Sequence, residues 1–478
     1  MSNTEQLSAK DRITTLLDTN SFVEVGADVV SRSTDFNMTQ NKIPADGVIT
    51  GYGTIDNNPV YVFSQDSTAL GGSIGEMHAK KITHLYDLAL KVGAPVIGLI
   101  DSSGMRLQES TDALNGFGEI YMKQTLASGV IPQITAVFGN CGGGLAVMAS
   151  LSDFSFMSGK NAKLFINTPN ALSENYTEKN NTSGADFVAS SGNVDYVGEN
   201  DTDVLQKIRE LIPILPINNM DDLSYSESTD DLNRLLTNVE TILKDSNKVL
   251  SFMSDNNFFY ELKSSYAKEM VTGFIRLNGM TVGAVANRTE ILDDDNKVID
   301  SFDGSLTSDG AKKAASFVRF CDAFDIPILT ITNVNGFKAT VEEEKTIAIA
   351  ISELTYAFAN ATVPKVNFIV GDAYGSAYIT MNSKHIGADL VFALPNAKIG
   401  MMDADLATQI MYDGETEDVR KDKAKEYEQM QSSAKAAAMR GYVDSIIEAE
   451  SMRKYAIYSF EMLFTKSEYR PAKKHGSK

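Results

Sequence analysis

Residues 139–153, GNCGGGLAVMASLSD, set three consecutive glycines between a β-forming run and a helical one. Glycine lets a chain turn sharply and lets a ligand approach the backbone closely. A helix that starts there presents N–H groups with no intrahelical partner and with partial positive charge. Together these features predict an oxyanion-binding turn at Gly142, Gly143 and Gly144. Residues 101–108, DSSGMRLQ, form a second strand-to-helix turn upstream, carrying Ser103, Gly104, Met105 and Arg106. Main-chain N–H groups from two such turns suit a thioester oxygen as it takes on enolate charge, each donor being worth about 3–4 kcal/mol. The second half of the chain holds equivalents, NVNGF at 333–337 (with Gly336 and Phe337) and DAYGSAY at 372–378 (with Tyr374, Ser376 and Ala377). Two oxyanion sites fit a reaction in which two carbonyl compounds each become enolate-like while a group passes between them. Such chemistry needs no side-chain base. None is evident, because the four histidines form no constellation with Ser and Asp. His78 and His385 are expected at the surface or as caps.

The elements that hold these turns occur twice. Gly72-Ser73, Ala79-Lys80-Lys81, Pro95, Gly104, Pro132 and Gly143 recur 232 positions later as Gly304-Ser305, Ala311-Lys312-Lys313, Pro327, Gly336, Pro364 and Gly375. Alternating β-formers at 46–65 predict a hairpin turning at Asp56-Asn57-Asn58, and 270–287 predict its counterpart, turning at Asn278-Gly279. The hairpins are offset by 222, so the second half carries about ten extra residues. The acidic run Asp293-Asp294-Asp295-Asn296 supplies them as a surface loop. Helical stretches (76–92, 309–324), buried strands (96–100, 328–332), second helices (116–128, 342–360) and second strands (133–138, 365–370) follow in both halves, each ending in a glycine turn. Strand–turn–helix repetition predicts an α/β fold with a mainly parallel sheet in each of two tandem domains, 1–235 and 236–478, joined by the polar linker 218–231.

A formal charge of −20 disfavours nucleic acid and anionic lipid as partners. Two cysteines supply neither a disulfide framework nor a metal cluster. The polar start and the lack of an apolar run near ~20 residues read as cytosolic. The basic tail 470–478 reads as a solvated end.

Longer stretches carry a resemblance. FVEVGADVVSRSTDF (22–36), YVFSQDSTALGGSIGEMHAKKI (61–82), GAPVIGLIDSSGMRLQE (93–109) and LASGVIPQI (126–134) resemble the first domain of the carboxyltransferase subunits of biotin-dependent acyl-CoA carboxylases and decarboxylases. FVRFCDAFDIP (317–327), ATVPKV (361–366) and AYGSAYITMNSKHIGAD (373–389) resemble the second. The resemblance implies a crotonase-like ββα superhelix in each half, with acyl-CoA on the first domain and biotin on the second. The biotin is covalently held by a separate carrier protein. Further partners implied are a biotin carboxylase or a membrane decarboxylase subunit. In the family, active sites form between the first domain of one subunit and the second domain of its partner, and hexamers are common. By motif, the donors to one carbonyl are Gly143 and Gly144, those to the other are Ser376 and Ala377, and Ile379 shapes the acyl pocket. Gly72, Ser103, Arg106, Gly142, Tyr374, Gly336 and Phe337 fall where substrate is bound. Methylmalonyl-CoA and propionyl-CoA are the implied pair.

Several motifs depart from the family pattern. Asp-Ser-Gly-Gly-Ala-Arg is here Asp101-Ser102-Ser103-Gly104-Met105-Arg106, and the Pro-Gly-Phe turn is Asn335-Gly336-Phe337. Gly-Pro-Glu-Gly-Ala has become Asp403-Ala404-Asp405-Leu406-Ala407, and residues 167–196 form an Asn/Ser-rich stretch that reads as loop bordering the CoA or carrier site. These departures motivate an alternative, a non-catalytic paralogue that serves as a structural partner in the complex. A crotonase-type hydratase is a third reading, disfavoured because no carboxylates flank the glycine turns.

Overall fold

The computed structural model describes residues 6–32, 43–221, 225–473 and 476. Residues 33–36 of the 22–36 motif, 222–224 of the linker, and Lys474, His475 and the last two positions of the basic tail lie outside the described residues. The chain divides into two units, Met1–Ser224 and Tyr225–Lys478.

In the first unit, helix α1 (Ala9–Leu16) and the short strand β1 (Val23–Glu24) precede the hairpin β2 (Val48–Ile55) and β3 (Asn58–Gln65). Asp56 and Asn57 make its two-residue turn with positive φ at both positions, the conformation that matches the twist of paired strands. Then come α2 (Glu76–Val92), β4 (Val96–Ser102), α3 (Ser110–Ala127), β5 (Gln133–Gly142), α4 (Gly144–Ser150), β6 (Phe154–Ser158), β7 (Lys163–Phe165), α5 (Ala185–Ser190), β8 (Tyr196–Gly198) and α6 (Asp201–Leu211). The sheet order is β1-β2-β3-β4-β5-β6-β8, with β7 beside the end of β5. The hairpin is antiparallel, and every pairing from β3–β4 onward is parallel. Continuous apolar runs such as Val96–Ile100 are buried because helices cover the sheet. Ile82, Leu85 and Tyr86 of α2 and Phe117 and Ile120 of α3 pack with them into one core.

The second unit repeats this plan. It holds α7 (Ser246–Met253), β9 (Phe259–Leu262), β10 (Met270–Leu277), β11 (Met280–Asn287), β12 (Glu290–Leu292), β13 (Val298–Ser301), β14 (Ser305–Leu306), α8 (Ser308–Ala323), β15 (Ile328–Val334), β16 (Gly336–Phe337), α9 (Val341–Glu344), α10 (Ile347–Asn360), β17 (Lys365–Tyr374), α11 (Gly375–Thr380), β18 (Leu390–Ala393), β19 (Lys398–Gly400), α12 (Ala404–Met411), α13 (Glu417–Tyr427), α14 (Ala434–Met439), β20 (Ser445–Ile446) and α15 (Met452–Leu463). Its sheet runs β9-β10-β11-β15-β17-β18-β20, with β19 beside β17.

The duplication extends to register. Val96 pairs with Gln133 and Ile328 with Lys365, both residues displaced by 232. Even the irregularity before the turn repeats, with Ser102 opposite Cys141 and Val334 opposite Ala373. The excess residues of the second unit form more than a loop. They fold as the β12–β13 hairpin, with Asp294–Asn296 exposed at its turn.

Candidate active site

In the first unit, adjacent parallel strands β4 and β5 deliver both predicted turns to one end of the sheet. Gly139 is required for that arrangement. A Cβ there would lie 1.8 Å from Asp101 Oδ1, because the carboxylate of β4 crosses directly over β5. Asp101 is fixed in turn by Gln6 Nε2, Arg12 Nη2 and Ser67 Oγ, which all donate to its Oδ2. The second unit repeats the close approach with an uncharged group, since a Cβ on Gly371 would lie 2.4 Å from Asn333 Oδ1.

The turn after β4 is held by its own amides. Ser103 N–H donates to Gly71 O at 2.8 Å, Gly104 N–H to Ser102 Oγ at 3.1 Å, and Arg106 N–H to Ile74 O at 2.9 Å. Met105 N–H has no acceptor among the described residues. After β5 the chain turns at Gly143 (φ +58, ψ −122), a conformation that glycine alone adopts readily. Gly143 N–H donates to Phe165 O at 2.9 Å and is therefore already engaged. Gly144, the first residue of α4, has no intrahelical partner for its N–H. Its carbonyl accepts from Tyr121 Oη at 2.7 Å. Gly104 and Gly143 both face open space, with no atom within 4 Å of the position a Cβ would take. Met105 and Gly144, one from each turn, are thus among the donors left open in this unit.

The second unit builds its turns similarly. Asn335 N–H donates to Gly304 O at 3.0 Å and Lys338 N–H to Leu306 O at 2.9 Å, which leaves Phe337 N–H outside the β14–β16 ladder. Gly375 turns with φ +60, as Gly143 does, and starts α11, whose first-turn amides include Ser376 and Ala377. Gly336 also faces open space. Ser376 and Ile379 are exposed and Ala377 is buried. Asp303 accepts from Lys338 Nζ at 2.6 Å, and this lysine holds its carboxyl down at about 2.

The remaining predicted site residues differ in exposure. Arg106 is only 1% exposed and faces inward: Nη1 donates to Asp46 Oδ1 (2.6 Å) and Glu109 Oε1 (2.8 Å), and Nη2 to Ser73 O (2.7 Å). It supports the turn from beneath. Gly72 is buried under Asp101 O, where a Cβ would approach to 2.4 Å, and Tyr374 is buried as well. Ser103 and Met105 are exposed and Gly142 half-buried. His78, expected at the surface or as a cap, is wholly buried, and burial lowers its imidazole to about 3. His385 is exposed. Sequence reasoning missed Tyr121, Phe165, Asp46 and Glu109. Glu109, three residues after Arg106, was the one local signal of an inward-facing pair.

Residues 167–196 are mostly irregular, as expected, apart from α5 and a single turn at Pro169–Ala171. With Val147 of α4 and Phe165 of β7, Leu172, Phe187, Val188 and Asn193 from this stretch line a cavity of about 410 Å³. Among the described residues no helix is long and apolar enough to cross a membrane, and no group of acidic, His and Cys side chains could hold a metal ion.

A family profile described as carboxyl transferase domain matches residues 3–477. The propionyl-CoA carboxylase beta chain of Roseobacter denitrificans is 39% identical over 484 residues, covering 98% of this chain and 93% of that protein. The methylmalonyl-CoA decarboxylase subunit alpha of Propionigenium modestum is also 39% identical, over 99% of this chain and 93% of its own length. Among solved structures, the transcarboxylase 12S hexamer assembly with hydrolysed methylmalonyl-coenzyme A bound matches with a TM-score of 0.92 at 35% identity, covering 98% of this chain and 92% of that one.

Proposed function

The chain belongs to the carboxyl transferase domain family, and from that premise we propose that it moves a carboxyl group between biotin on a separate carrier and a short acyl-CoA, with methylmalonyl-CoA and propionyl-CoA as the pair. The observation that carries this reading is the recurrence, at equivalent positions of both units, of unengaged main-chain N–H groups beside turn glycines, of which Gly104 and its equivalent Gly336 both face open space. The first half, residues 1–235, takes the thioester, and 236–478 takes the carrier's biotin.

Removing the carboxyl group or the α-proton of a thioester leaves an enolate. Met105 and Gly144 N–H donate to its oxygen where the charge develops, so they stabilise the transition state more than the ground state. Biotin, when bound, supplies a ureido nitrogen that takes up or releases the carboxyl group. The residues of the second unit fit such a group: Phe337, Ser376 and Ala377 offer N–H groups to its carbonyl, and the open space at Gly336 admits a flat ring. Ile379 limits the acyl chain. The apolar cavity beside α4 suits the pantetheine arm of the thioester. The chain acts as a homo-oligomer beside a carrier and either a biotin carboxylase or a membrane decarboxylase subunit.

The test is turnover of methylmalonyl- and glutaconyl-CoA by the purified protein with free biotin as the carboxyl acceptor, with binding of acetyl- and propionyl-CoA measured beside it. Decarboxylation of methylmalonyl-CoA is expected. Binding of CoA esters without turnover of any of them overturns the proposal and favours the non-catalytic paralogue.

A further inference from the structure

A buried polar chain runs beneath the first turn and joins its two ends. Arg106 at the far end grips Asp46 and Glu109. Asp46 O accepts from His78 Nδ1 at 2.9 Å, so the ring proton sits on Nδ1 and leaves Nε2 to accept from Gln65 Nε2 at 3.2 Å. Gln65 Oε1 then accepts from the N–H of Asp101, at the near end of the turn, at 3.3 Å. The two carboxylates also cap α2: Glu109 Oε2 takes Glu76 N–H at 2.6 Å and Asp46 Oδ2 takes His78 N–H at 2.8 Å. All five side chains of this chain are buried.

The second unit makes the same turn without most of this apparatus. Arg106 corresponds to Lys338, which pairs with Asp303 at the surface, and His78 corresponds to Gly310. The link from Gln65 to the strand survives as Asn287 Oδ1 accepting from Asn333 N–H. Glu343 Oε2 caps α8 through Ser308 N–H in the place of Glu109. Packing of the duplicated fold therefore does not demand a buried Arg–Asp–His–Gln chain, and five buried polar side chains are a costly way merely to fill space.

We infer that Arg106, Asp46, Glu109, His78 and Gln65 are positioning residues for the reaction's first oxyanion donor. Tied at Asp101 and at Arg106, the intervening peptides cannot rotate, and Met105 N–H stays aimed outward. The flanking carbonyls Gly104 O and Ile74 O already accept the N–H groups of Ile74 and Arg106. This inference rests on the carboxyltransferase reading for its kinetic consequence, but its structural content stands apart from it.

The test compares Arg106→Lys and His78→Asn with Arg453→Lys in the purified full-length protein. Arg453 is an equally buried arginine of the second unit, bonded to Asp255 and to Met253 O and part of neither turn. Hydrogen exchange is followed by mass spectrometry alongside kcat and KM for methylmalonyl-CoA with free biotin. Arg106→Lys and His78→Asn should speed exchange at residues 103–106 at least about tenfold while the middle of α2 stays protected. They should lower kcat by about 10²-fold with KM within twofold, the loss expected for one misplaced oxyanion donor. Arg453→Lys, at comparable loss of thermal stability, should leave kcat and exchange at 103–106 unchanged. Unchanged exchange at 103–106 in both turn variants overturns the inference, as does an equal fall in kcat in all three. Absence of turnover in the wild type refutes the functional reading alone, and the exchange data still decide the positioning role. If Arg106→Lys does not fold, His78→Asn carries the comparison.

Discussion

Replacing Gly143 by alanine separates the two things a glycine turn does. The position has φ +58 and ψ −122, and an added Cβ would meet nothing within 4 Å. No clash therefore arises, and the whole effect comes from the backbone. An L-residue held in that region costs about 1–3 kcal/mol. The strain is relieved by rotating the peptide between Gly143 and Gly144, and that rotation carries Gly144 N–H off its line. Loss of one oxyanion donor corresponds to about 10²–10³ in kcat. Gly414→Ala is the matched control: φ is +93, the space around it is equally open, and it lies on neither turn. The assay is decarboxylation of methylmalonyl-CoA with free biotin. Gly143→Ala should lower kcat by about 100-fold with KM nearly unchanged, whereas Gly414→Ala should lose stability and keep kcat. Equal kcat in the two variants refutes the reasoning.

Three further outcomes follow from the geometry. Gly371→Ala forces a Cβ to within 2.4 Å of Asn333 Oδ1; it should abolish biotin-dependent turnover while CoA affinity, read by calorimetry, is retained. Asp153 accepts Gln133 N–H at 2.8 Å, and burial, with Asp195 adding to it, raises its carboxyl to about 7. The folded state thus binds an extra proton between roughly pH 4 and 7 and loses stability as pH rises through that window. Asp153→Asn keeps the acceptor without the charge, so its Tm should exceed that of the wild type above pH 7 and converge with it near pH 4. Lys313 Nζ donates to the carbonyls of Lys263 and Tyr266. Lys263 O keeps the N–H of Tyr266, so Lys313→Met strands Tyr266 O and should lower stability by about 1–3 kcal/mol in chemical denaturation.

Periodicity exposed the architecture because the fold is a repeat of short local signals. A hairpin turn such as Asn278-Gly279, a buried run such as Val96–Ile100 and a glycine before a helix each declare themselves within a few residues. Spaced alike in both halves, they gave the succession of hairpin, helices and strands along the chain as far as the helix after the second glycine turn of each half. The turns at Gly104 and Gly143 were legible for the same reason. What each amide does there was not, because it depends on partners far along the chain. Gly143 N–H is taken by Phe165, and Met105 is left free only because its neighbours bond to Gly71, Ile74 and Ser102. Arg106 was placed at the substrate by its position in the motif Asp101–Arg106. Its burial is set by Asp46, sixty residues earlier, and nothing local marks that pairing. His78 shows the same limit, since a histidine on the inner face of α2 reads as a cap until Asp46 and Gln65 are placed beside it.

The account rests on main-chain N–H groups polarising a thioester carbonyl, and the carbonyl stretch of bound propionyl-CoA, isolated by ¹³C labelling, reports on them directly. In the wild-type protein the band should shift to lower frequency on binding, and in Gly143→Ala most of that shift should be lost at equal occupancy. A saturated wild-type complex whose thioester band stays at its solution frequency contradicts the account.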